Sequence, residues 1–145
     1  MAALEKAKEV EEMADALSAC ANAVHDRLID AIDNKEIARD QAQAALQDEG
    51  MLRQRANSLY IDAALFVVEG LEVSQLELIN SVAEAEKSIA KIKKIEAFLD
   101  LVADLLALAS AVYAAKPKVI IAALKEVKED VGGIVAKAAP RTTKP

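Results

Sequence analysis

Residues 97–115 read AFLDLVADLLALASAVYAA, and after the turn Lys116-Pro117-Lys118 the chain continues as VIIAAL at 119–124. The first segment is long, lacks glycine and proline, and is apolar at most positions, which favours a buried helix. Proline suits the first turn of a second helix, because its missing N–H would have no partner there. Two apolar helices in succession predict an all-α protein in which further helices cover this hairpin.

The hairpin at 97–124 supplies the residues that we expect to contact either partner helices or lipid. They are Phe98, Leu99, Leu101, Val102, Leu105, Leu106, Leu108, Val112, Ile120, Ile121 and Leu124. One narrow polar edge interrupts this apolar surface. It contains Glu96, Asp100 and Asp104, whose four-residue spacing places them on one face of a helix. In a helical bundle that edge faces water, whereas in a membrane pore it would face the lumen.

The composition of the 145-residue chain agrees with a helical bundle, since 54% of its residues are hydrophobic, 29% charged and only 3% aromatic. A chain this apolar buries enough surface to offset the entropy lost on folding, which argues against general disorder. A single cysteine excludes a disulfide scaffold. The scarcity of aromatic residues argues against a β-sandwich.

The spacing of apolar residues predicts four helices, at about 3–49, 51–69, 74–115 and 117–131. They form an elongated bundle of two long and two shorter helices with coiled-coil-like packing. The pair Gly132-Gly133 ends the last helix. We therefore expect one helical-bundle domain at 1–131, followed by a flexible basic C-terminal tail at 132–145.

Glycines and capping residues set the other predicted boundaries. Gly50 suits the position after the end of the first helix, where a left-handed backbone is common. A kink at Asp33-Asn34 is the alternative to a continuous first helix. Gly70 is followed by Ser74 and, three residues later, a glutamate, which is the pattern of a capping box. This predicts a break at 70–73, and the alternative is one uninterrupted helix from 51 to 115.

The charge and the N-terminal sequence restrict partners and compartment. The formal net charge is −6 and the pI is near 4.9, so nucleic acid is not an expected partner. The opening residues MAALEKAKEVEE lack the apolar core of a secretory signal. Cys20 lies among small residues, where a buried thiol behaves as a small hydrophobe. We expect a cytoplasmic location, with peripheral membrane association or signal-less export as variants.

The residue types that metal and catalytic sites require are mostly missing. His25 is the only histidine, which excludes a di-iron bundle with two Glu-x-x-His motifs and the zinc motif HExxH. A glycine-rich phosphate loop is also absent from the sequence. We therefore expect no enzymatic activity, no metal, no cofactor and no small-molecule substrate.

Two functions fit this pattern best, and a third, a small enzyme or ligand carrier with an apolar channel inside the bundle, is supported by the apolar core alone. The first is a non-enzymatic helical interaction or structural module, which forms a homo-oligomer or packs on the helices of a partner protein. The alternative is a membrane-active protein whose hairpin 97–124 inserts into lipid, since lysines flank the segment as they flank many membrane spans. In outline the organisation resembles α-helical pore-forming toxins, with long helices and one apolar hairpin. Against insertion, Asp100 and Asp104 would each cost about 2.5–3.5 kcal/mol near the bilayer centre.

Overall fold

The computed structural model describes the backbone of residues 2–138 and the side chains of residues 2–134. Its α-helices are α1 (Ala7–Asp33), α2 (Arg39–Ile61), α3 (Gln75–Ile89), α4 (Ile95–Tyr113) and α5 (Pro117–Ala138). A short 3-10 helix, Ala63–Phe66, follows α2 directly. The described residues contain no strand, so the predicted all-α class is confirmed.

The five helices form a closed ring in the spatial order α1, α2, α4, α5, α3, and each packs mainly against its two neighbours. The chain reverses direction between successive helices. The first end of the bundle therefore holds the starts of α1, α3 and α5 and the ends of α2 and α4. There, the N–H of Val68 donates to the carbonyl of Leu4, and the N–H of Leu4 donates to Gln75. The second end holds the opposite termini, where Arg27 contacts Ile92.

The predicted helix 3–49 is in fact two helices, α1 and α2. After α1, the N–H of Glu36 donates to the carbonyl of Ala31 at 2.8 Å, as in a Schellman motif. The left-handed residue of this motif is Lys35, at φ +57°, and the motif at the end of α4 uses Ala115, at φ +54°. A search for glycine at helix ends does not find this boundary, because its left-handed residue is a lysine.

The predicted helix 74–115 is also two helices, α3 and α4, separated by residues 90–94. The break is held from outside by Arg27 of α1, which is only 9% exposed. Its Nε and Nη2 atoms donate to the carbonyl of Ile92 at 3.1 and 3.0 Å. Nη2 also donates to Glu36 at 2.8 Å. A contact between residues distant in sequence therefore holds this helix boundary, and periodicity within 74–115 does not reveal it.

Two boundaries that local sequence signals predicted are confirmed. Gly70 adopts φ +74° in the connection between α2 and α3. The Oγ atom of Ser74 accepts the N–H of Glu77 at 3.1 Å and so caps α3. Pro117 is the first residue of α5.

The predicted helix ends at the other glycines are wrong. Gly50 lies inside α2, and Gly132-Gly133 lies inside α5, which continues to Ala138. The predicted flexible tail 132–145 is accordingly helical as far as Ala138, and the rest of that prediction lies outside the described residues. Glycine is only a weak helix breaker, since it costs about 1 kcal/mol relative to alanine.

Candidate functional site

The apolar hairpin predicted to contact partners or lipid corresponds to α4 and the start of α5, and protein covers most of it. Leu99 and Leu106 are half-buried, and Ile121 is exposed. The other eight predicted residues are buried: Phe98, Leu101, Val102, Leu105, Leu108, Val112, Ile120 and Leu124. Within residues 2–138, none of the helices is both long enough and apolar enough to cross a membrane.

The predicted polar edge of α4 is more than a solvated strip. Glu96 and Asp100 are exposed, but Asp104 is half-buried and lies beside Asp130 of α5. Burial raises the pKa of Asp130 to about 7, and the neighbouring Asp104 carboxyl adds to this shift. The Oδ2 atom of Asp130 is buried without a hydrogen-bond partner. Burial and the neighbouring carboxyl of Asp104 therefore both favour the protonated form of Asp130.

The described residues do not assemble this edge into a metal site, because they contain no group of three or more His, Cys, Asp or Glu side chains that could hold an ion. Glu49, which is 7% exposed, is also fully engaged. One of its oxygens lies 2.9 Å from Nδ1 of His25, and the other accepts from Arg53 at 3.0 Å. This buried carboxylate ties α2 to α1.

Cys20 is buried, as the sequence argument expected. Its Sγ atom lies 3.5 Å from the carbonyl of Val82. Burial, together with the nearby carboxylate of Glu86, raises the pKa of the thiol to about 12. The thiolate is the nucleophilic form of cysteine, so in the folded chain this side chain is a packing residue.

Exposed apolar side chains gather at the first end of the bundle, where α2 passes into the 3-10 helix. Ile61 and Leu65 are each 76% exposed and lie about one turn apart. Val67 and Tyr113, the last residue of α4, are also exposed, at 36% and 39%, and Phe66 is half-buried. We call these five residues, Ile61, Leu65, Phe66, Val67 and Tyr113, the apolar cap.

An aromatic stack fixes the position of the apolar cap. The rings of Phe66 and Tyr113 are stacked, with centroids 4.9 Å apart. The guanidinium of Arg55 lies 4.5 Å from the centroid of the Tyr113 ring, a cation–π contact. With Tyr60, which is 53% exposed, three of the four aromatic residues of the chain lie at this end. Aromatic residues are enriched at protein interfaces.

Opposite charges flank the apolar cap. Asp62 directly follows Ile61, and Lys116 comes three residues after Tyr113. Both are exposed, and neither forms an ion pair with another described residue. This end of the bundle therefore offers an apolar centre with exposed charges of both signs beside it.

The apolar cap is not among the sites predicted from the sequence, although the sequence contains a signal for it. Residues 63–68 read AALFVV, and six consecutive apolar residues exceed what one helical face can bury. This run was assigned to the predicted helix 51–69 and to its packing. In the structure α2 ends at Ile61, and only Ala63 and Val68 of this run are buried.

We compared the chain with known protein families, curated proteins and solved structures. No protein-family model matches the chain, and neither a curated protein nor a solved structure is significantly similar to it.

Proposed function

We propose that the protein is a non-enzymatic helical interaction module, and that it self-associates by packing the apolar cap of one copy on that of another. The observation that carries the proposal is the 76% exposure of Ile61 and Leu65 beside a fixed aromatic stack. Burial of apolar surface is favourable by roughly 25 cal/mol per Å². Because the stack is already ordered in the single chain, little conformational entropy is lost on contact.

Charge and size favour a second copy as the occupant. In a twofold dimer the same surface of each copy packs on the other, so every contact between two different residues occurs twice. Lys116 of one copy would then meet Asp62 of the other, and the reverse. The two caps together would bury on the order of 1,000 Å², the lower limit for a specific interface. The expected dimer is therefore weak and depends on protein concentration.

Coiled-coil-like packing of the helices within the bundle also belongs to this proposal. On α2 the buried residues recur at alternating spacings of four and three, which is the spacing of a helical seam: Ala45, Glu49, Leu52, Ala56 and Leu59. Ile61 lies on the opposite face of the last turn, where the α2 helix of a second copy has access to it. We further propose that the module acts in the cytoplasm without a cofactor, and that its partners are protein rather than nucleic acid.

Sedimentation velocity over a range of protein concentrations tests the proposal. We expect the wild-type chain to shift from monomer to dimer, and the double variant Ile61→Glu/Leu65→Glu to stay monomeric. Ile29→Glu/Ile32→Glu is the matched control, because these two side chains are also exposed, at 40% and 39%, and lie near the end of α1 at the opposite end of the bundle. Circular dichroism checks that all variants are folded. A wild-type chain that remains monomeric throughout, or a cap variant that still dimerises, overturns the proposal.

Vesicle leakage distinguishes the membrane-active alternative. We expect the wild-type chain to release no dye from anionic vesicles, because protein covers most of the hairpin at 97–124. Dye release by a chain that shows no dimer in solution would overturn self-association in favour of membrane activity.

A further inference from the structure

A cavity of about 790 Å³ opens at the second end of the bundle, opposite the apolar cap. The α3–α4 connection contributes three lysines to its wall, Lys91, Lys93 and Lys94. Apolar side chains also line it, among them Ile92, Ala97 and Ile134. Its volume falls within the range of small-molecule sites, roughly 300–1,000 Å³. We call this cavity the basic pocket.

The basic pocket is cationic in an acidic chain. Four of its lining residues are cationic and only two, Asp30 and Glu36, carry carboxylates, whereas the chain has a net charge of −6. The carboxylate of Glu36 is already bound by the guanidinium of Arg27 at 2.8 Å. The three lysines are exposed and form no ion pair with any described residue. The lining therefore carries three unpaired lysines and one uncompensated carboxylate, that of Asp30.

The cavity also offers apolar contact. Ile92, Ala97 and Ile134 contribute to its wall, and Ala97 is half-buried on the first turn of α4. The N-cap residue of α4, Lys94, makes no side-chain capping hydrogen bond, so the positive end of that helix adds to the potential of the lysines. A ligand with one anionic end and one apolar end matches both the lysines and the apolar wall of the basic pocket.

From the volume, the charge and the apolar lining together, we propose that the basic pocket binds a phosphate monoester that carries a short apolar group. The phosphate lies among Lys91, Lys93 and Lys94, and the apolar group packs on Ile92, Ala97 and Ile134. The shared chemistry is that of a free alkyl phosphate or of a phosphatidic acid headgroup. This site lies at the opposite end from the apolar cap, so it does not depend on self-association.

The experiment titrates the full chain with three ligands and monitors binding by backbone amide NMR. The ligands are octyl phosphate below its micelle concentration, inorganic phosphate, and vesicles of phosphatidic acid in phosphatidylcholine. We expect octyl phosphate to shift the amides of residues 90–97 and to bind more tightly than inorganic phosphate. Three lost charge contacts in Lys91→Gln/Lys93→Gln/Lys94→Gln should weaken binding about tenfold. Added salt should weaken it as well.

Two further variants make the result specific to the pocket. Lys8→Gln/Lys118→Gln/Lys125→Gln removes the same charge from exposed positions elsewhere, and we expect it to bind octyl phosphate almost as wild type does. Ala97→Phe adds a bulky side chain to the apolar part of the wall without changing charge and should reduce the preference for octyl phosphate over inorganic phosphate.

Three outcomes would overturn the proposal: no shift of residues 90–97 with octyl phosphate, equal weakening in both lysine triples, or binding to vesicles without binding to free octyl phosphate. The last outcome would indicate a flat electrostatic surface, which needs no cavity. Vesicle binding that free octyl phosphate displaces supports a lipid headgroup as the source, and binding of octyl phosphate alone supports a soluble ligand.

Discussion

Replacing Arg27 with methionine is expected to lower the free energy of unfolding by about 2–3 kcal/mol. Arg27 is the one described side chain that joins α1 to the connection between α3 and α4 by hydrogen bonds. Methionine keeps much of the aliphatic stem and adds no charge. The substitution therefore removes the hydrogen bonds and the ion pair with limited loss of packing.

The magnitude follows from three contacts of unequal strength. Two donors of Arg27 share the carbonyl of Ile92 at 3.1 and 3.0 Å, and a buried carbonyl left without its charged donor costs about 1–3 kcal/mol. The ion pair with Glu36, whose side chain is 37% exposed, adds at most about 1 kcal/mol. The guanidinium lies 5.7 Å from the centroid of the Phe98 ring, a cation–π contact of about 0.5–1 kcal/mol. Relief of the desolvated charge offsets part of the total.

Urea unfolding at neutral pH, followed by circular dichroism, measures this change from the shift in midpoint at constant m-value. Glu36→Gln is the control for the ion pair alone and should cost no more than about 1 kcal/mol. The loss of unfolding free energy in Arg27→Lys should lie between those of Arg27→Met and Glu36→Gln, because one ammonium group replaces two fixed donors. A loss below about 0.5 kcal/mol in Arg27→Met, or an equal loss in Glu36→Gln, would refute the reasoning that the Ile92 carbonyl depends on Arg27.

Three further predictions test other parts of the fold. Gly50→Ala should raise the free energy of unfolding by about 0.5–1 kcal/mol, because a Cβ at this helical position meets no atom within 4 Å; destabilisation in urea unfolding would mean that a helix ends there. Since the folded-state pKa of Asp130 is raised to about 7, its ionisation lowers stability as the pH rises from about 4 through 7. Asp130→Asn should therefore stabilise the fold at pH 8, by about 1 kcal/mol after solvent screening of this half-buried group, and hardly at pH 4; an equal effect at both pH values would contradict the raised pKa of Asp130. The thiol of Cys20 should react with a thiol reagent only at the rate of unfolding, since burial raises its pKa to about 12; fast labelling without denaturant would contradict its burial.

Local signals in the sequence predicted those parts of the fold that depend on neighbouring residues. The apolar spacing indicated helices, and the capping pattern at Ser74 and the proline at 117 located two helix starts that the structure confirms. These features act within one turn of the chain, so the residue types alone suffice to indicate them. The composition of the hairpin 97–124 favours cover by other helices over cover by lipid, and in the structure protein covers most of it.

The tertiary structure decided the features that depend on distant residues. The break at 90–94 is held by Arg27 from another helix, and α1 ends in a Schellman motif whose left-handed residue is a lysine. The apolar cap exists because the ring of five helices covers the core face of α2 and leaves Ile61 and Leu65 outside. The sequence shows which residues are apolar, and their periodicity shows which face of a helix they occupy. Whether that face is covered depends on how the other helices pack, and this is a property of the whole chain.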